Sequence, residues 1–139
     1  MIHFQSLRLF LGVIFLVTPL MARAEIVDLP EAAMTANGLY RVELKAQDMK
    51  MGVGPIHVWI ATVTDKDGNP VEGAKIAVDG GMAAHGHGLP TAPEMTQVMA
   101  PGVYKIDGVK FSMMGEWQLR LKIEAAAGTD NVEFQFKVK

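Results

Sequence analysis

Two segments near the C-terminus carry the cleanest period-two patterning of the chain. Trp117, Leu119, Leu121 and Ile123 alternate with Gln118, Arg120, Lys122 and Glu124, and Val132, Phe134, Phe136 and Val138 alternate with Glu133, Gln135 and Lys137. Successive side chains of an extended backbone point to opposite faces, so each segment predicts a strand with one apolar and one wet face. Gly128, followed by Thr129-Asp130-Asn131, lies between them and predicts a short loop joining an antiparallel pair. Upstream, Tyr40, Val42, Leu44 and Ala46 alternate with Arg41, Glu43 and Lys45 and predict a first strand. Residues 56–63 are apolar on both faces, as suits a central strand. The turn-rich run Asp65-Lys66-Asp67-Gly68-Asn69-Pro70 leads to residues 71–78, where Ala74, Ile76 and Val78 point one way, and a hairpin is expected there. Residues 103–106 and 109–111 flank Asp107-Gly108 and read as one strand broken by a bulge in preference to a tight hairpin. About seven short strands, with no helical period, predict an all-β chain folded as an immunoglobulin-like antiparallel β-sandwich over residues 38–139.

The N-terminal region has another character. A short segment ending at Arg8 precedes an apolar run over residues 9–20 and the small-x-small sequence Ala22-Arg23-Ala24, which predicts a signal peptide over residues 1–24, cleaved after Ala24. A dozen apolar residues fall short of the ~20 that a helix needs to cross a bilayer, so no membrane span is expected after cleavage. Residues 25–37 follow neither period and hold Pro30 and Asn37-Gly38 as breakers, and so read as an extended lead-in or edge segment. The expected location is periplasmic or secreted.

Composition narrows the function classes. The leader holds two basic and no acidic residues, so its loss leaves eleven basic against fifteen acidic side chains, a formal charge of −4. The basic residues are spread singly along strands, against the clustering that phosphate contacts require, and no nucleic acid partner is expected. Cysteine is absent from the whole sequence, so the fold must rest on its core without disulfides. The mature segment has one serine, Ser112, no Gly-x-Ser-x-Gly elbow and no phosphate-binding loop, and an enzyme is the least supported class.

One segment carries chemistry. Residues 79–100 read as a long connection between strands, and such loops are uncommon unless functional or disordered. It holds Met82, His85, His87, Met95 and Met99 together with Gly80, Gly81, Gly86 and Gly88. Imidazole nitrogen and thioether sulfur suit copper, because soft thioethers select Cu(I) and imidazoles accept Cu(I), Cu(II), Zn or Ni. In extended backbone His85 and His87 project from one side, and the intervening glycines let either ring turn inward. His85 and His87 are therefore the principal candidate metal ligands, with Met82 and Met95 as candidate thioether ligands. A blue-copper centre is excluded because it needs a cysteine thiolate. Two plainer readings stand beside this one: Met95, Met99, Met113 and Met114 as fillers that close one end of the sandwich, and His-Gly-His as a solvated or partner-binding turn. His57 reads as a core residue beside Trp59, Met49 and Met51 as covering a loop, and Trp117 and Phe111 as core.

Met82, His85-Gly86-His87-Gly88, Pro90, Pro93, Gly102-Val103-Tyr104 and the run Phe111-Ser112-Met113-Met114-Gly115-Glu116-Trp117 occur in an order that resembles the YtkA-like domain family. The specific part of that resemblance spans residues 82–117. It implies an immunoglobulin-like sandwich at the cell envelope, with copper handling or oxidase assembly as roles and copper as the cofactor. The downstream His-x-Met pairing typical of periplasmic chaperones that deliver copper to oxidases is missing here. Two functions are therefore expected as alternatives: a periplasmic copper-binding accessory protein with a copper acceptor as partner, or a non-catalytic envelope interaction domain that binds a protein without metal.

Overall fold

The computed structural model describes residues 31–47 and 52–139. The leader with its cleavage point, the first residues of the lead-in, Met49 and Met51 lie outside the described residues. The chain runs β1 (Glu31–Met34), β2 (Tyr40–Ala46), β3 (Ile56–Asp65), β4 (Lys75–Met82), a 3-10 turn (Ala83–His85), β5 (His87–Gly88), β6 (Glu94–Ala100), β7 (Val103–Lys110), β8 (Gly115–Ala125) and β9 (Gly128–Val138). All pairings are antiparallel, in the order β1-β2-β3-β7-β6-β4-β8-β9, with β5 added to β4. The fold is therefore all-β, with nine strands among the described residues where periodicity alone predicts about seven. No helix among the described residues is long and apolar enough to cross a membrane.

The strand path folds over on itself into two layers. One layer is β1-β2-β3-β7-β6 and the other is β4-β8-β9, joined on one side by the single pair Ala77↔Glu94. On the opposite side the Ala36 N–H donates to the Asn131 carbonyl at 2.8 Å and draws the two layers together. The alternating residues meet between them: Tyr40, Val42, Leu44, Trp59, Ala61 and Val63 from one layer, Trp117, Leu119, Leu121, Ile123, Phe134 and Phe136 from the other. Trp59 and Phe136 touch across the interior with ring centres 5.3 Å apart. Fully burying each such aliphatic or aromatic side chain contributes about 1.5–3 kcal/mol, and this replaces the missing disulfides as the source of stability.

Several local expectations are met. β7 is a single strand whose Asp107-Gly108 pair forms a register shift against His57 and Trp59 of β3, with Gly108 at φ 93°. His57 is buried, and its Nε2 lies 2.9 Å from the Gly52 carbonyl oxygen, so it is a satisfied core histidine. Trp117 and Phe111 are core residues.

Others are corrected. The turn at 65–70 forms as expected, with the Asp65 carboxylate accepting from the Asp67 and Asn69 N–H groups at 2.9 Å. It closes only a short bridge, Thr64↔Pro70, with the Val71 N–H on the Val63 carbonyl at 3.0 Å; the expected longer hairpin gives way to a crossover, because β4 pairs with β8 in the other layer. Tyr104 clamps that crossover: its hydroxyl donates to the Val71 carbonyl at 2.6 Å and accepts from the Ala74 N–H at 3.0 Å. Residues 128–131 are the start of β9, not a loop. Asp130 is buried there and accepts from the Asn37, Leu39 and Asn131 backbone N–H groups and the Asn37 amide, tying the β1–β2 turn to β9. Burial works to raise its pKa, but the Thr35 hydroxyl and these N–H donors outweigh it and hold the carboxyl at about 2.

Candidate metal centre

The segment expected as one long loop is mostly built into the sheet. β4 continues to Met82, a 3-10 turn follows, Gly86 reverses the chain in the left-handed region at φ 66°, and β5 returns alongside β4. Two close approaches make this possible. A Cβ on Gly80 would meet the Gln118 carbonyl oxygen of β8 at 2.5 Å. One on Gly81 would press into the His87 carbonyl oxygen and lie 2.9 Å from the Gly88 Cα. β4 is thus flanked tightly on both sides only because its end is glycine. The Leu89 N–H closes the hairpin on the Gly80 carbonyl at 3.0 Å.

This hairpin brings the two histidines together, though by a different route from plain extended backbone. His85 ends the 3-10 turn and His87 sits in β5, and their ring centres are 6.0 Å apart. Both side chains are solvent-exposed. With metal–nitrogen bonds of about 2 Å, two imidazoles on one ion hold their ring centres roughly 5–6 Å apart, so the observed separation fits a shared ion. The His87 Nδ1 lies 3.0 Å from the Gly88 carbonyl oxygen. A carbonyl only accepts, so this contact takes the proton on Nδ1, and in the neutral ring Nε2 is then the nitrogen open to a ligand.

Met82 is opposite His87 in the β4–β5 register. One step beyond Gly81↔Gln118, the same register brings it level with Trp117 of β8. His87, Met82 and Trp117 therefore form a row across three strands at one end of the sandwich. The His87 ring meets the Trp117 indole edge-on at 5.7 Å. Met82 itself is buried, with its methyl against Gly115: a Cβ there would sit 2.7 Å from the Met82 Cε. The buried Phe111 packs against Trp117 with ring centres 5.2 Å apart and planes tilted by 60°.

Met95, expected as a second thioether ligand, is not brought to this row. It lies on β6 opposite Ile106, next to Glu94, and Glu94 pairs with Ala77, five residues before Met82. At about 3.3 Å per residue that separates the two methionines by ~16 Å or more along β4. The half-buried Met95 packs against the core, as its reading as a filler predicted, and Met99 is exposed still farther along β6. Met113 and Met114, read from the sequence only as fillers closing one end of the sandwich, lie in the turn between β7 and β8, which flanks the same end. The signal available for placing them there was their adjacency to Gly115 and Trp117. Among the described residues no three His, Cys, Asp or Glu side chains gather as a metal site, so His85 and His87 stand with thioethers alone as nearby soft donors.

On the outer face of the same strands, Arg120 of β8 grips Asp79 of β4 at 2.6 Å, and this hydrogen bond, with the Gly80 N–H, pulls the Asp79 carboxyl below its usual range. The pair braces β4 where it approaches the glycines.

No curated protein matches the chain. Among solved structures, one titled "ZirS C-terminal Domain" is similar at a TM-score of 0.45 and 15% identity, covering 98% of this chain and 87% of that one, a likeness too slight to argue from. A protein-family model described as YtkA-like matches residues 38–122, from the turn before β2 into β8, and includes Met82, His85, His87 and Trp117. That match spans more than half of the sequence, and the chain belongs to the YtkA-like family.

Proposed function

We propose that the protein is a non-catalytic accessory protein of the cell envelope that binds copper through His85 and His87, with Met82 beside them, and hands the ion to an acceptor in copper handling or oxidase assembly. The observation that carries this reading is the paired imidazoles, 6.0 Å apart, with the Nδ1 of His87 turned to the Gly88 carbonyl so that Nε2 is the atom offered to a metal. The leader-like N-terminus supports the location. Bound copper is cargo here: two exposed imidazoles can take it from solution and release it to a partner with more donors. Purified mature protein is expected to take up one copper ion in a chelator-competition titration, and H85A/H87A to abolish uptake. Uptake unchanged in the double variant refutes the site.

A second reading has its own support. Val53, Ile56, Met113 and Met114 are exposed apolar residues, and the Gly54 N–H donates to the Phe111 carbonyl at 3.0 Å, which sets residues 52–56 beside the turn that carries the two methionines. An apolar rim of this kind fits a non-catalytic domain that docks an envelope protein without metal. In that case H85A/H87A loses its partner in an envelope pull-down, and neither protein takes up copper.

A further inference from the structure

We infer that the β7–β8 turn supplies the sulfur ligands of the copper site, through Met113 and Met114, and that these thioethers make the site selective for Cu(I). The inference rests on the copper reading of the histidine pair and goes beyond it by assigning residues from a separate connection and an oxidation state.

Three observations place the turn at the site. The Trp117 indole N–H donates to the Met113 carbonyl at 3.0 Å, and the edge of the same indole meets the His87 ring at 5.7 Å. One aromatic ring thus anchors the methionine turn and touches a histidine. Gly115, the residue after Met114, lies directly on the buried Met82 methyl, and its φ of 134° lets the chain turn there without a side chain that would hold the two apart. Strand β8 is also in contact with the 3-10 turn that ends in His85.

Exposure then separates these two methionines from core fillers. Met82 is 2% exposed, whereas Met113 is 37% and Met114 68% exposed. Two adjacent large apolar side chains left in water gain little from packing. A thioether on three rotatable bonds adapts readily to a nearby ion, and its sulfur is the donor that favours Cu(I) over Zn(II). His85 and His87 provide two nitrogens, and the turn adds one or two sulfurs from the facing side. The set contains no thiolate to be lost to oxidation. Met95 has no place in it.

The test compares Cu(I) and Zn(II) affinities by competition with chromophoric chelators, the Cu(I) arm under anaerobic reducing conditions, for mature wild type, M113L/M114L and H85A/H87A. Leucine keeps apolar volume, so the methionine variant is expected to fold, which its circular dichroism and thermal melt verify. The expected result is one Cu(I) bound by wild type, a Cu(I)-to-Zn(II) affinity ratio at least tenfold lower in M113L/M114L, and sulfur scattering at copper in X-ray absorption that the variant loses. Should M113L/M114L bind Cu(I) as wild type does while H85A/H87A does not, the sulfur assignment is overturned and the copper reading stands. Should wild type itself bind no Cu(I), the sulfur assignment falls, and the copper reading falls with it when wild type takes up no Cu(II) either.

Discussion

Gly81 and Gly88 face each other across the β4–β5 pair, yet they should respond oppositely to alanine. A Cβ on Gly81 collides with the His87 carbonyl oxygen and approaches Gly88 Cα to 2.9 Å, both backbone atoms with no rotamer to yield. A Cβ on Gly88 finds only the Gly80 carbonyl oxygen, at an ordinary 3.5 Å. Relieving the first clash requires β5 to leave β4, breaking the Gly81↔Gly88 and Met82↔His87 pairs and the Leu89-to-Gly80 hydrogen bond. Overpacking costs about 1–3 kcal/mol and each lost hydrogen bond about 0.5–1.5 kcal/mol, but the hairpin is at the surface and can move as a unit, so about 2 kcal/mol is expected. For a domain of this size that lowers the melting temperature by roughly 8 °C. Gly88→Ala should stay within about 0.5 kcal/mol of wild type. Thermal and urea unfolding of the two variants measure this directly. In the copper titration, Gly81→Ala should weaken uptake at least tenfold, because the hairpin sets the two imidazoles side by side. Equal stability of Gly81→Ala and wild type, or equal damage from Gly88→Ala, would refute the tight β4–β5 approach.

Further outcomes follow from other parts of the fold. Tyr104→Phe removes the hydroxyl that serves both Val71 and Ala74 and leaves a buried N–H unpaired, so urea unfolding should show a loss of about 1–3 kcal/mol; an unchanged midpoint would mean the crossover is held otherwise. Leu119→Ala, at a fully buried position between the layers, should cost about 2–5 kcal/mol with the fold retained, as read by chemical denaturation. Asp130 gives a pH signature. Its folded pKa of about 2 lies below the ordinary 3.8, so the stability it contributes is complete above about pH 4 and is lost as pH falls toward 2. Urea midpoints measured from pH 5 to pH 2 should fall more steeply for wild type than for Asp130→Asn, and parallel curves would show that the carboxylate is not the group responsible.

The strands with one buried face were legible residue by residue. β2, β8 and β9 alternate between buried and wetter positions; β2 and β8 agree with the pattern to within two residues, and β9 begins four residues before it, at Gly128. β6 was invisible because it is almost wholly exposed and meets β7 with two register shifts, so neither face carries a period. Asp130 looked like a turn residue since Gly128-Thr129-Asp130-Asn131 has turn composition; its burial depends on Asn37 and Leu39, more than ninety positions away. The donor set divides in the same way. His-Gly-His and the methionines announce soft-ligand chemistry wherever they stand in space.

By itself, then, the sequence determined the all-β class, the alternating core and the identity of the candidate donors, because side-chain period and ligand chemistry are local properties. Partner choice was decided only by tertiary structure. Local turn chemistry at 65–70 is the same whether β4 returns to β3 or crosses to β8, and burial of Ile76 against β8 settles it. That crossover aims the end of β4 at the start of β8. It thereby sets Met82 and the histidine pair beside Trp117 and the Met113–Met114 turn, and leaves Met95 on a strand whose register carries it away. Donors distant in sequence become neighbours only once the non-local strand pairs form, and no short-range pattern encodes those pairs.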